Sequence, residues 1–229
     1  MIINKNCDLM RFIDLTHELK NDTLVYPGDP KFKLKNINDR NKNYSLYEIK
    51  GNLHTGTHID APYHYIANGK KVKNILLENL IGEANVFDIN HINQEKEINL
   101  DNILTLKKIV QKKYYNENDS KKELKKIVIL KTCWCNNWEE KNYFTENPFI
   151  SKEVANTFVE NNISGIAIDS PSVDFYGENK IHKILLKNNI WIVENLTNMN
   201  KVQEGIYNAF FIPLNIDAEA SFIRAFIEM

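Results

Sequence analysis

Between residues 126 and 194 the chain runs KIVIL (126–130), SKEVANTFVENN (151–162), GIAID (165–169), KIHKILLKNN (180–189) and IWIVE (190–194), an apolar run alternating with a helical pattern. Short apolar runs of this length read as strands, and Ser151 stands where a helix cap belongs. Strand, helix, strand, helix, strand predicts α/β architecture with some parallel strands. Further strand patterns crowd the two ends: RFIDLT (11–16), YSLYEIKGNL (44–53), EANVFDI (83–89), NAFFIPL (208–214) and SFIRAFI (221–227). A third helix is expected at NLDNILTLKKIVQKK (99–113). These β-rich ends predict a mixed sheet that closes toward a barrel-like core with flanking helices. No repeat, Gly/Ser linker or shift in composition divides the chain, so residues 1–229 read as one domain.

Charge narrows the partners. The 29 basic and 30 acidic residues nearly cancel, so no field of the kind that collects nucleic acid or an anionic membrane is expected, and the partner is read as a small molecule. No stretch approaches the ~18 apolar residues of a membrane span and the first residues lack a signal-peptide pattern, which predicts a cytoplasmic protein. Cys7, Cys133 and Cys135 cannot all pair within one chain, as suits a reducing compartment, and Cys133-Trp-Cys135 lacks zinc-site spacing and reads as packing. The polar stretch 111–126 reads as a helix end plus a solvated loop.

HTGTHIDAPYHY (54–65) gathers three of the six histidines and a carboxylate. His54 and His58 have helical ligand spacing, but Thr-Gly-Thr between them and Pro62 after them disfavour a helix. In a strand His54, His58, Asp60 and His64 share parity and face one side. A straight strand would hold the first two histidines ~13 Å apart, so the chain must curl, and Gly56 is the residue that permits it. Pro62 then turns the chain off the sheet and leaves His64 beside the site. Two imidazoles and a carboxylate suit zinc or manganese with a position open for water. Burying so many such groups without a cation would be costly. His17 and His91, each alone, read as ordinary core histidines.

HTGTHIDAPYHY matches the H-x-G-T-H-x-D-x-P-x-H-[FY] signature of the metal-dependent cyclase family, whose best-known members are bacterial kynurenine formamidases (arylformamidases). The resemblance continues through DLTHEL, VYPGDP, LKTCW, GIAIDSPSVD and HKILLKNNIWIVENL, covering nearly the whole chain in the family's order. It implies the family's swivelling β/β/α type of fold. It also implies two divalent ions, zinc first and manganese as the alternative, with His54, His58 and Asp60 holding one, Asp60, His182 and Glu194 the other, and Asp60 bridging. The chain departs from the family at Ser170, at the cysteine of LKTCW and in AEASFIRAF, departures that leave the metal set intact and bear on the substrate.

The implied reaction is hydrolysis of the formamide bond of N-formyl-L-kynurenine or a related aryl amide by hydroxide made available at the ions, with His64 as general acid/base. Tyr26, Tyr63, Tyr65 and Trp134 are candidates to line a pocket for the aryl ring. A cyclic amide or lactone, as for isatin hydrolase-like members, and metal binding without catalysis remain alternatives. Family likeness further implies a homodimer or homotetramer.

Overall fold

The computed structural model describes residues 12–38, 43–90, 96–108 and 125–229. Cys7, His91, Arg11 of the first strand pattern, the end of the helix expected at 99–113 and most of the polar stretch 111–126 lie outside the described residues.

Strands β7 (Ile127–Lys131), β9 (Gly165–Ile168) and β10 (Trp191–Glu194) are buried at every position and pair in parallel, the last two joined through helix α3 (Lys180–Lys187), and β7 to β9 through α2 (Lys152–Glu160). Their unbroken apolar runs have a simple cause: both sheet faces are covered. Ile127, Ile129, Ala167, Trp191 and Val193 enter one core, whereas Val128, Leu130, Ile166, Ile168 and Ile192 meet the helices in a second. Ser151 caps α2 as expected, its hydroxyl accepting from the Val154 N–H at 3.2 Å. Gly165 lies flat against Trp191, whose ring would stand within 2.3 Å of any Cβ placed there.

The remaining strands close the sheet. β5 (Ile81–Asp88) lies parallel to β7, β11 (Gly205–Pro213) is antiparallel to β5, and β12 (Ala220–Glu228) is antiparallel to β11. The start of β12 then pairs with β4 (His58–Asp60), which also pairs with β10, so seven strands form a closed ring with β1 (Phe12–Asp14) added along β12, while β6 (Glu97–Ile98) and β8 (Phe149–Ile150) pair in parallel as a separate short ladder. This is the mixed α/β, barrel-like sheet that the sequence predicts. Among the described residues no helix is long and apolar enough to cross a membrane.

Three local expectations are corrected. The strand expected at 44–53 is only β3 (Tyr47–Lys50), which pairs with β2 (Lys33–Asn36) in an exposed hairpin outside the ring, because its apolar residues have no covering layer. The helix expected at 99–113 begins as a 3-10 turn, Leu100–Asn102, in a capping box between Asn99 and Asn102, and helix α1 is described only over 104–108. Residues 54–57 are a turn rather than part of a strand, so parity orders only His58 and Asp60.

Candidate functional site

Ile59 of β4 points into the barrel core, so His58 and Asp60 on either side of it point outward, toward the helices. The antiparallel register sets Glu194 opposite His58 and Ile192 opposite Asp60. Helix α3 packs over β10 and delivers His182 to the same face. Gly56 adopts φ +67°, and this left-handed turn folds His54 back until its ring lies 5.0 Å from that of His58. A 3-10 turn at Pro62–His64 places the His64 ring 4.4 Å from His54 and 5.9 Å from His182. All six side chains singled out for the ions and for acid/base work therefore line one cleft of about 380 Å³.

The donor atoms converge closely. Asp60 Oδ1 lies 2.9 Å from His54 Nδ1 and 3.5 Å from His58 Nε2, while Asp60 Oδ2 lies 3.4 Å from His182 Nε2. Glu194 Oε1 is 3.2 Å from His182 Nε2, and its Oε2 is 3.6 Å from His58 Nε2. A tetrahedral zinc ion with bonds of 2.0–2.1 Å requires ligand atoms about 3.3 Å apart. The donors stand at that spacing. His58 Nε2 and both oxygens of Asp60 are buried and form no hydrogen bond among the described residues, a costly state that a cation between them would relieve. Two sets, His54–Asp60–His64 and His58–Asp60–Glu194, each gather ligand atoms within 4.8 Å, so His64 too stands within reach of an ion.

Backbone and side-chain partners fix the rings. His58 Nδ1 meets the Gly56 carbonyl at 2.9 Å, and His182 Nδ1 meets Asp174 Oδ2 at 2.7 Å, which turns Nε2 of each ring toward Asp60. The Gly56 carbonyl also accepts from Asn195 Nδ2 at 3.0 Å. Burial disfavours charge at Asp60, but the neighbouring His54 and His58, with His182, outweigh it and hold the carboxyl well below its usual range. Burial likewise opposes charge at His54, yet Asp60 and the more distant Glu194 and Glu219 raise its pKa to about 9. At His64 burial prevails, and the pKa falls to about 4.

Of the four aromatics expected to line a pocket, Tyr26 and Tyr65 line the cleft. Tyr63 and Trp134 do not: Tyr63 is exposed beneath Lys71, whose Nζ lies 4.9 Å from the ring centre, and Trp134 Nε1 donates to the Tyr143 carbonyl. The turn at Pro62–His64 sends residues 63 and 65, of equal strand parity, to different surroundings. Phe144 and Tyr176, missed in the sequence, complete the aromatic wall, packing against Tyr26 with ring centres 5.5 and 5.4 Å away. Asp174 and Asn195 were missed as well. For Asp174 the signal was a carboxylate eight positions before His182; for Asn195 there was none.

The chain resembles known proteins along most of its length. Residues 13–175 match the family model described as "Putative cyclase". A kynurenine formamidase of Bacillus thuringiensis subsp. konkukian (strain 97-27) is 29% identical over 230 residues, spanning 95% of this chain and 97% of that protein. Among solved structures, a potential metal-dependent hydrolase with cyclase activity superposes with a TM-score of 0.74 at 26% identity, over 96% of this chain and 98% of that one. Isatin hydrolase A from Labrenzia aggregata, bound to benzyl benzoate, shares the fold with a TM-score of 0.80 at 21% identity, over 96% of this chain and 94% of that one.

Proposed function

The chain belongs to the cyclase family, and from that membership we propose that it is a metal-dependent hydrolase of an amide bond to an aromatic amine, N-formyl-L-kynurenine giving formate and kynurenine being the substrate to try first. The observation that carries the reading is the buried carboxylate of Asp60, whose two oxygens lack hydrogen bonds among the described residues and face different imidazoles. In this reading His54, His58 and Asp60 would hold one divalent ion, and Asp60, His182 and Glu194 the other. Nitrogen and carboxylate donors suit zinc, with manganese the alternative.

Bound there, the pair supplies Lewis acidity that ionises water near neutral pH and polarises a carbonyl. His64 supplies the proton traffic. Its depressed pKa of about 4 leaves the imidazole neutral at pH 7, so a ring nitrogen accepts a proton from the attacking water and returns it to the departing nitrogen. An aniline nitrogen leaves readily only once protonated, so the proton donor must reach it. Tyr26, Phe144 and Tyr176 offer apolar faces to the aryl ring at the cleft wall.

The test is turnover by protein purified with zinc or manganese, followed by chelation. Release of kynurenine that stops on chelation and resumes when the ion is restored supports the reading. No turnover of N-formyl-L-kynurenine with both ions bound removes the formamidase substrate, and hydrolysis of isatin in its place would move the substrate to cyclic amides.

A further inference from the structure

We propose that Asp174 is a positioning residue for one ion position only, the one formed by His182 and Glu194. The inference rests on the two-ion reading above. Asp174 is a carboxylate 1% exposed, and none of its contacts requires it to touch substrate. Its Oδ2 faces His182 Nδ1 at 2.7 Å; with a proton on that nitrogen, the Nε2 lone pair is left aimed at Asp60 and Glu194. The same oxygen accepts the His182 backbone N–H at 2.9 Å, and Oδ1 accepts the Ile181 N–H at 2.8 Å, so the carboxylate is fixed to the first turn of α3. Asn147 Nδ2 donates to the Asp174 carbonyl at 3.1 Å and fixes its backbone.

The preceding residue completes the clamp. Val173 donates its N–H to Glu194 Oε1, the oxygen that faces His182, at 3.0 Å, so two consecutive residues orient both side chains that the two-ion reading assigns to this position besides Asp60. The other position is held differently: His58 leans on the Gly56 carbonyl, and His54 Nε2 faces the half-exposed Glu219 at 3.5 Å. A carboxylate behind a ligating imidazole fixes its tautomer and strengthens it as a donor, and losing one weakens metal binding by about 10- to 100-fold. That loss should fall on one ion of the two.

The experiment is titration of chelator-stripped protein with Zn²⁺ against a chromophoric chelator. The native chain should take up two ions. His54→Ala isolates the His182–Glu194 position, and in that background Asp174→Asn should lower the remaining affinity 10- to 100-fold. In a His182→Ala background the same change should leave the remaining affinity where it was. Asp174→Ser keeps an oxygen that can cap α3 and should give the same selective loss, which separates ion positioning from helix capping; circular dichroism identifies the folded variants to be compared. Unchanged affinity in the His54→Ala background, or equal weakening in both backgrounds, would overturn the proposal. A native chain that binds no ion would overturn the two-ion reading and this inference together.

Discussion

His17 and His64 are imidazoles in similar surroundings with different consequences. The His17 ring stacks on Trp138 at 3.9 Å, its Nε2 is buried without a hydrogen bond among the described residues, and burial lowers its pKa from 6.5 to about 4. An unfolded chain therefore takes up this proton first on acidification. The neutral ring's contribution to stability is complete above about pH 6.5 and is lost as pH falls toward 4, at no more than about 1.4 kcal/mol per pH unit. Replacing His17 by Phe should flatten the fall of Tm between pH 6.5 and 4 relative to the native chain, as calorimetry across that range would show. His64 lies against His54 and His182 instead, and in the proposed reaction His64→Ala should lower kcat by about 10²- to 10⁴-fold while metal content stays at the native value. The gathering of His54, His58, Asp60 and His64 in one cleft was legible from residue type, because imidazoles and a carboxylate clustered around one glycine have few other uses, whereas His182 and Glu194 were placed beside them only by the family resemblance. The pocket aromatics were not, since a Tyr, Phe or Trp serves a core equally well and Tyr63 and Tyr65 differ only through the intervening turn.

Both covered helices end alike. After α2 and α3 the chain reads Asn-Asn-Ile, the second asparagine takes φ +53° or +58°, and the isoleucine N–H returns to the carbonyl of Phe158 or Leu185. This Schellman ending stops each helix and aims the chain into the next strand. Such local punctuation explains why the alternation of helices and strands between 126 and 194 could be read before any coordinates. The segment at 99–113 carried the same apolar period but opened with an Asn99–Asn102 capping box around a 3-10 turn, which shifts its start. β4 is three residues long and owes its place to partners, among them Asn195, which period and propensity do not reveal. Asn195 sits at φ +58° just after β10; its Nδ2 donates to the Gly56 carbonyl, its Oδ1 accepts from Tyr143, and its carbonyl accepts from Thr57. Asn195→Ala would strand the buried Tyr143 hydroxyl and should cost about 1–3 kcal/mol in denaturant unfolding. It should also weaken ion binding through the loosened Gly56 turn; full native affinity for both ions would show that β10 does not brace that turn.

The ring of strands divides the apolar interior into two bodies, and His58, Asp60 and Glu194 lie on the face covered by helices rather than inside the barrel. Phe211 and Trp191 pack inside the barrel, with ring centres 5.2 Å apart, whereas Leu185 of α3 packs with Phe158 and Ile192 on the outer face, the face that carries the ions' donors. The parallel strands' unbroken apolar runs announced burial on both faces, but not which face would bear the site. That depended on β4 entering between β10 and β12, a pairing that joins His58 to Glu194 across 136 positions and is fixed by the closure of the whole ring. The division can be tested with two truncations of comparable cost. Phe211→Ala should lower unfolding free energy by about 3–5 kcal/mol and Leu185→Ala by about 2–5 kcal/mol. Measured on the folded variants below their transitions, zinc affinity should stay native for Phe211→Ala, because the barrel interior supports no donor directly. For Leu185→Ala it should fall, because the helix that seats His182 has lost part of its anchor. Equal effects on affinity would mean that ring and helices yield as one body and that the outer face has no separate hold on the ions.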